Sequence, residues 1–287
     1  PAGVQPMNAP ARPFRIDAGR LSSFQPSHAL RARHGIVLLA LFLASLVSAH
    51  AQGIDAAGPP SALATLVEWM PFILRGFLLN LGMSLLAMAI ATILGVGLGM
   101  LQLSRTRFVS APAWLVTHLF RNSPWLVILF VVMLLVPYEL ELPGGGSFIM
   151  SDWLKATFAF SLPVMANLSE ITRGAIVSIP SGQWESAESL AFTRGQTLRW
   201  IILPQCVKRA IPPWMNWYAL LAMATPMASI LGVREAVGNA QAAMEAAGAR
   251  PELLAPFYLF LLLLFFVYIY PISIWTRMIE RKYAVET

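Results

Sequence analysis

The sequence predicts an all-α integral membrane protein, and three observations carry that prediction. The chain is 57% hydrophobic and only 12% charged, half the share of about a quarter that soluble domains carry. Its mean hydropathy is +0.65. Its apolar runs reach about 20 residues or more, the length a helix needs to cross a hydrocarbon core. Barrel strands would instead run about 10 residues with alternating polarity. The expected architecture is a five-span core, preceded by one N-terminal signal-like or anchor segment.

Taken in order, residues 1–34 are rich in Pro, Ser and Arg without apolar periodicity, and read as a basic disordered tail. Residues 35–51 form a short apolar run behind Arg31 and Arg33, ending in Ala49-His50-Ala51. That layout fits a cleaved secretory signal or a short retained anchor. The core stretches are 72–103, 111–136, 153–176 (the weakest), 210–232 and 253–276. Turn chemistry separates them, at Pro143-Gly-Gly-Gly146 and around Gly248 and Pro251. Trp69, Trp114, Trp153 and Trp275 fall near the borders of these runs, where indole rings favour the headgroup zone.

Lysine and arginine bias sets the orientation. Arg105, Arg107, Arg173, Arg194, Arg199, Lys208, Arg209, Arg277, Arg281 and Lys282 gather on one side, against Arg75, Lys155, Arg234 and Arg250 on the other. The first side is read as cytoplasmic, with the C-terminus inside. The net charge of +6 follows from this loop topology and does not indicate nucleic acid. Cys206 is the only cysteine, so no intrachain disulfide can form. The four histidines have no metal-ligand spacing, so no metal site is expected.

Between the third and fourth core stretches lies Pro180-Ser-Gly-Gln-Trp-Glu-Ser-Ala-Glu-Ser-Leu-Ala191, a polar segment with a helical pattern. Pro180 and Ser181 suit a helix start, with Ser181 as the expected cap. Ser186, Ala187 and Ser189 give a slim face suited to a groove. Glu185 and Glu188 lie near the helix N-terminus, where negative charge is favoured. Arg194-Gly195 is the expected end of the helix. A second helical stretch from Gln196 to Leu203 meets Pro204 and returns to the membrane.

This segment, with Ile202-Leu-Pro-Gln205 after it, resembles the "EAA" loop of ABC-importer permeases, most closely those carrying polar amino acids. Further matches follow in order: Arg75-Gly-Phe-Leu-Leu-Asn80, Leu119-Phe-Arg-Asn-Ser-Pro124, Glu170-Ile-Thr-Arg173 onward, Pro256-Phe-Tyr258, and Ile279-Glu-Arg-Lys282. They span about residues 66–283. Three departures stand out. Ala191 replaces the loop's usual glycine, so a less sharp bend is expected there. Ser186 replaces an alanine, and Met223-Ala-Thr-Pro226 replaces a Lys-Asp/Asn-Thr/Ser element.

The resemblance implies a type I permease domain over 66–283 with a coupling loop at 180–204, in a bacterial inner membrane. It implies a transport subunit, not an enzyme. The chain would bind no cofactor of its own, ATP and Mg being used by a separate ATPase subunit. The other implied partners are a periplasmic amino-acid-binding protein, a second permease (identical or paralogous) and membrane lipid. The ATPase contacts would be Gly182, Gln183, Glu185, Ser186, Ala187, Ser189, Leu190, Ala191, Arg194, Leu203 and Pro204. No Gly-x-x-x-x-Gly-Lys-Ser/Thr occurs. Gly95-Val-Gly-Leu-Gly99 lies inside an apolar span and reads as a small-residue packing face.

Candidate pathway or gate residues are the polar groups inside the spans: Asn80, Arg121, Asn122, Glu170, Asn216, Thr225, Pro226 and Ser229, with Asn167 beside them. Arg121 lies inside its span, where a charge costs about 2.5–3.5 kcal/mol and calls for a partner or a wet cavity. It either lines the pathway, pairs with Glu170 or reaches the cytoplasmic surface. The asparagines and hydroxyls fit either the pathway or helix–helix hydrogen bonds. The alternative function is an ion-coupled secondary amino acid transporter. It would need intramembrane acids as relays, and Glu170 alone qualifies from the sequence.

Overall fold

The computed structural model describes residues 60–142 and 146–283. The tail 1–34, the signal-like segment 35–51 and most of the Pro143–Gly146 turn lie outside them. The described chain is helical apart from one hairpin. Its helices are α1 (Ala62–Gln102), α2 (Arg107–Arg121), α3 (Trp125–Leu135), α4 (Asp152–Val177), α5 (Ser181–Ser189), α6 (Arg194–Gln196), α7 (Leu203–Ala224), α8 (Ala236–Ala246) and α9 (Leu254–Tyr283). Strands β1 (Glu139–Leu142) and β2 (Gly146–Ile149) pair antiparallel after α3, with Leu140 opposite Phe148. The sequence reading had only a loop there.

By length and composition two segments can cross a membrane alone: α1, and residues 251–282 containing α9. There are up to four if each of two bent helix pairs counts as one span. The described helices thus establish two to four spans where the sequence predicted five. One bent pair is α2 with α3, expected as a single stretch over 111–136 but turning by 107°. Pro124 explains the corner. It has no N–H to carry a helix ladder across Asn122 and Ser123, and it sits as the N-cap of α3. The other runs from Arg194 to Leu231 and then Ala236–Ala246, bent by 43°.

The remaining predicted stretch, α4, is not among these segments, and it carries Asp152, Lys155, Glu170 and Arg173. It is nevertheless the core helix. Half of its 26 residues are buried, against a third or less of the apolar windows of the two long segments. Its most extensive pairing is with α1, and glycines let the two backbones approach. A Cβ on Gly95 would stand 2.8 Å from Leu168 Cβ, and one on Gly99 2.5 Å from the Ser169 carbonyl oxygen. Gly97, pointing elsewhere, meets nothing within 4 Å. Around this seam Met83, Ala87, Ala91, Leu129, Phe160, Val164 and Leu221 form the main apolar core.

Two ends of the helix array are defined by side-chain contacts. At one, Arg250 donates to the Pro60 carbonyl and to Thr65, joining the α8–α9 loop to the start of α1. At the other, Gln102 at the close of α1 donates to Thr117 of α2 and Ser169 of α4 at 2.7 and 3.0 Å. The second end also holds the start of α7, because Arg209 donates to Ser178 just beyond α4.

Candidate functional site

The 180–204 segment is a compact module fixed to the second end. Helix α5 begins at Ser181 with Pro180 as its N-cap and no side-chain capping bond. Ser181 is therefore the first helical residue, not the cap. Pro180 instead supplies a backbone acceptor, its carbonyl taking the Gln183 N–H at 3.0 Å. The helix ends at Ser189, five residues before the expected Arg194-Gly195 stop.

Ala191 makes the turn. Its φ of 57° lies in the left-handed region, which costs a residue with a Cβ roughly 1–2 kcal/mol. The chain bends there as a glycine would bend it, and the expected shallower turn does not occur. Phe192 N–H then donates back to the Ala187 carbonyl at 3.1 Å, closing the helix end.

Arg194 opens the next helix. Thr193 caps it in a reciprocal arrangement: Gln196 N–H donates to Thr193 Oγ1 while Thr193 N–H donates to Gln196 Oε1. The following turn, Thr197–Ile202, widens into a π-helix just ahead of Pro204, which has no N–H for the ladder. Leu203 and Pro204 then start α7.

A small apolar core holds the module. Ala175, Ile179, Ile202 and Cys206 are buried together, with Trp184, Leu198 and Ile201 packed on them. Ala187 is also inside, at 1% exposure. It sits on the inner face of α5 rather than on the slim outer face read from the sequence. The outer face is Gly182, Gln183, Glu185, Ser186 and Ser189, all exposed. At its tip Leu190 is 71% exposed.

The polar candidates within the helices separate into groups. Asn80 and Thr225 meet in a buried node. Asn80 Nδ2 donates to Thr225 Oγ1 at 3.0 Å and to Glu235 Oε2 at 2.8 Å, and Asn80 Oδ1 accepts from Ala236 N at 3.0 Å. Glu235 itself is fully buried. Its carboxylate accepts from Val237 N and Gly238 N, capping α8. Sequence reasoning placed Glu235 in an external loop and so missed this acid. The available signal was a glutamate directly ahead of an alanine-rich run, a helix-start pattern.

Arg121 closes α2, with its side chain 44% exposed and 3.7 Å from Glu170. Glu170 is held more closely by Arg173, at 2.8 Å on the same helix. Asn122 donates to the His118 carbonyl, Ser229 to the Pro226 carbonyl and Asn167 to the Pro163 carbonyl. Asn216 is exposed on α7. Among the described residues no three His, Cys, Asp or Glu side chains converge to hold a metal.

Bilayer-length apolar helices, with a polar helix clasped at one end, make this a membrane-embedded helical protein. The chain belongs to the family of binding-protein-dependent transport system inner membrane components, whose family description matches residues 91–285. It is 31% identical over 218 residues to a probable amino-acid ABC transporter permease protein, YckA, of Bacillus subtilis, covering 76% of this chain and 92% of that one. It is 27% identical over 231 residues to the L-cystine transport system permease protein TcyB of the same organism, covering 78% and 94%. It is 28% identical over 176 residues to the octopine transport system permease protein OccM of Rhizobium radiobacter, covering 60% and 72%.

The fold matches a chain in the crystal structure of an amino acid ABC transporter with histidines. The TM-score is 0.65 at 21% identity, covering 76% of this chain and 97% of that chain. It also matches one of the MetNI methionine ABC transporter in an inward facing conformation, with a TM-score of 0.57 at 16% identity, covering 75% and 97%. The protein is a multi-pass permease subunit of the bacterial inner membrane. ATP hydrolysis belongs to a partner ATPase, and a binding protein and a second permease complete the importer.

Proposed function

We propose that this chain forms half of the translocation pathway of an importer for a polar amino acid or a close derivative. Its relatives are named for amino acids, L-cystine and octopine, which supports that substrate class. The working core is residues 66–283 with five membrane passes: α1, α2 with α3, α4, α7 with α8, and α9. The end carrying α5 and the C-terminus faces the cytoplasm, in keeping with the arginine-rich loops there.

The observation that carries the proposal is the clasped helix α5. Its inner face is seated by Trp184 on the small core of Ala175, Ile179, Ile202 and Cys206, with Ala187 also buried, while Gly182, Gln183, Glu185, Ser186, Ser189 and Leu190 stay exposed. A helix held that way transmits force. When an ATPase groove grips its outer face and moves, α4 and α7 move with it. Ala191, Arg194, Leu203 and Pro204 shape the return into α7 and set the helix angle. Asn216, Arg121, Asn122, Glu170, Pro226 and Ser229 are the proposed pathway or gate positions, with Asn80 and Thr225 fixing the helices behind them.

The test is uptake into proteoliposomes holding both permeases, the ATPase and the binding protein. Glu185→Trp should abolish ATP-driven uptake and substrate-stimulated ATP hydrolysis while the protein still inserts and assembles in the membrane. Uptake that survives without ATP hydrolysis and collapses with the ion gradient would overturn the proposal in favour of a secondary transporter.

A further inference from the structure

Helix α7 is shared between two parts of the molecule. Its first residues belong to the α5 module. Cys206 is buried in the small core with Ile179 and Ile202, and Arg209 donates to the Ser178 carbonyl at 2.8 Å. Its later residues belong to α1 and the main core. Trp214 Nε1 donates to Thr92 Oγ1 at 2.8 Å. The Tyr218 and Ser84 hydroxyls share a hydrogen bond of 3.4 Å, and Asn80 holds Thr225 just past the helix end. Leu221 is buried in the main core, and Ala222 packs with Ile269 of α9.

The two sets of contacts meet at Pro212 and Pro213, which lie inside α7. Neither has an N–H, so the carbonyls of Lys208 and Arg209 lose their helical donors, and each ring crowds the carbonyl four residues before it. Two successive rungs of the ladder are missing, and a helix bends most readily at such a place. Among the described residues, the hydrogen bonds from α7 to α1 all fall beyond the prolines. Ahead of them, Val207, Ala210 and Ile211 border a crevice toward α1 and α4, so no close-packed wall opposes a swing of this half.

We propose that Pro212–Pro213 is the hinge through which movement of the α5 module enters the membrane helices. The inference rests on the coupling role assigned to α5 above. Residues 203–211 swing with the module, while residues 214–224 stay on α1. Nine residues separate Leu203 from Pro212, about 14 Å of helix. A change of about 20° at the prolines carries the α5 end of α7 through about 5 Å.

Spin-label distances in the whole importer in lipid nanodiscs test this, with Cys206→Ala removing the native thiol. Labels at Val207→Cys and Met100→Cys span the α5-side half, and labels at Met223→Cys and Leu78→Cys span the anchored half. All four positions are exposed. Between the nucleotide-free and ATP-trapped importer, the first distance should shift by about 3 Å and the second should stay the same. Pro212→Ala with Pro213→Ala restores both donors. It should abolish the first shift and slow ATP-driven uptake about tenfold, with membrane insertion unchanged. Equal shifts in both pairs would mean that α7 moves as one rod, and would overturn the hinge. So would an undiminished first shift in the double alanine variant, or no shift in either pair of an importer that transports. Uptake without ATP hydrolysis counts against the transport assignment instead, so the two failures are told apart.

Discussion

Asn80 and Glu235 lie 155 positions apart and share a buried hydrogen bond of 2.8 Å. The same amide also accepts from the first N–H of α8 and donates to Thr225. One side chain on α1 therefore pins the end of the α7 arm and the start of α8. The backbones are close as well: a Cβ on Gly76 would stand 2.6 Å from the Glu235 carbonyl carbon. Asn80→Ala should cost about 2–4 kcal/mol, because it orphans a buried N–H and removes a donor from a buried carboxylate. In a double-mutant cycle with Glu235→Ala, measured by unfolding in mixed micelles, the two changes should couple by about 1–3 kcal/mol. Additive effects would mean the bond contributes nothing specific.

The glycines of α1 should respond by face. Gly99→Ala would force a Cβ to 2.5 Å from the Ser169 carbonyl oxygen, a backbone atom that cannot step aside. It should lower melting temperature and folded yield sharply. Gly97→Ala meets open space and should be neutral or stabilising by up to about 1 kcal/mol. Thermal denaturation of the purified variants compares the two directly.

Ala191 carries a strain that a glycine would not. Ala191→Gly should stabilise the loop by about 1 kcal/mol, and Ala191→Val should weaken it by more than that. Limited proteolysis between α5 and α6 reads the difference. Faster cleavage of the glycine variant would contradict the assigned conformation.

Ser186 and Ala187 are neighbours with opposite surroundings, exposed and 1% exposed respectively. Both should lose transport when changed to tryptophan, for different reasons. Ser186→Trp blocks the outer face while α5 stays seated. Ala187→Trp lifts α5, with its Trp184, off the small core beneath it, so only this variant should become protease-sensitive within 181–195. Equal sensitivity in the two would remove the distinction between faces.

The Arg121–Glu170 pair should matter little to stability. It is 3.7 Å long with the arginine 44% exposed, and such pairs contribute under about 1 kcal/mol. Arg121→Ala should therefore leave the melting temperature nearly unchanged. Glu170→Ala should shift it more, since that carboxylate also holds Arg173 at 2.8 Å.

Composition and spacing were enough to identify a helical membrane protein, and residues 180–204 were enough to single out the polar segment that folds as a compact module. What escaped the sequence was orientation within that module. The pattern Ser186-Ala187-Ser189 reads as one slim surface, yet helix rotation turns Ala187 inward. The left-handed turn at Ala191 was hidden because alanine rarely adopts it. Glu235 was missed for a related reason. Its partner is an asparagine on α1, and a long-range partner leaves no local trace. A contact between Arg121 and Glu170 was one of three readings the sequence left open for Arg121, and the structure has the two 3.7 Å apart.

Helix α4 has a consequence for how the protein is made. It carries Asp152 and Lys155 in its first turn and Glu170 and Arg173 toward its other end, and it is not among the helices long and apolar enough to cross a membrane by themselves. Left alone at the translocon, it has little reason to leave the aqueous channel. Its glycine-matched seam with α1 offers another route. The earlier-synthesised, strongly apolar α1 serves as the surface on which α4 is admitted. On the five-span reading, α1 has to be in place before α4, and a defect in α1 would appear first as misinsertion of α4.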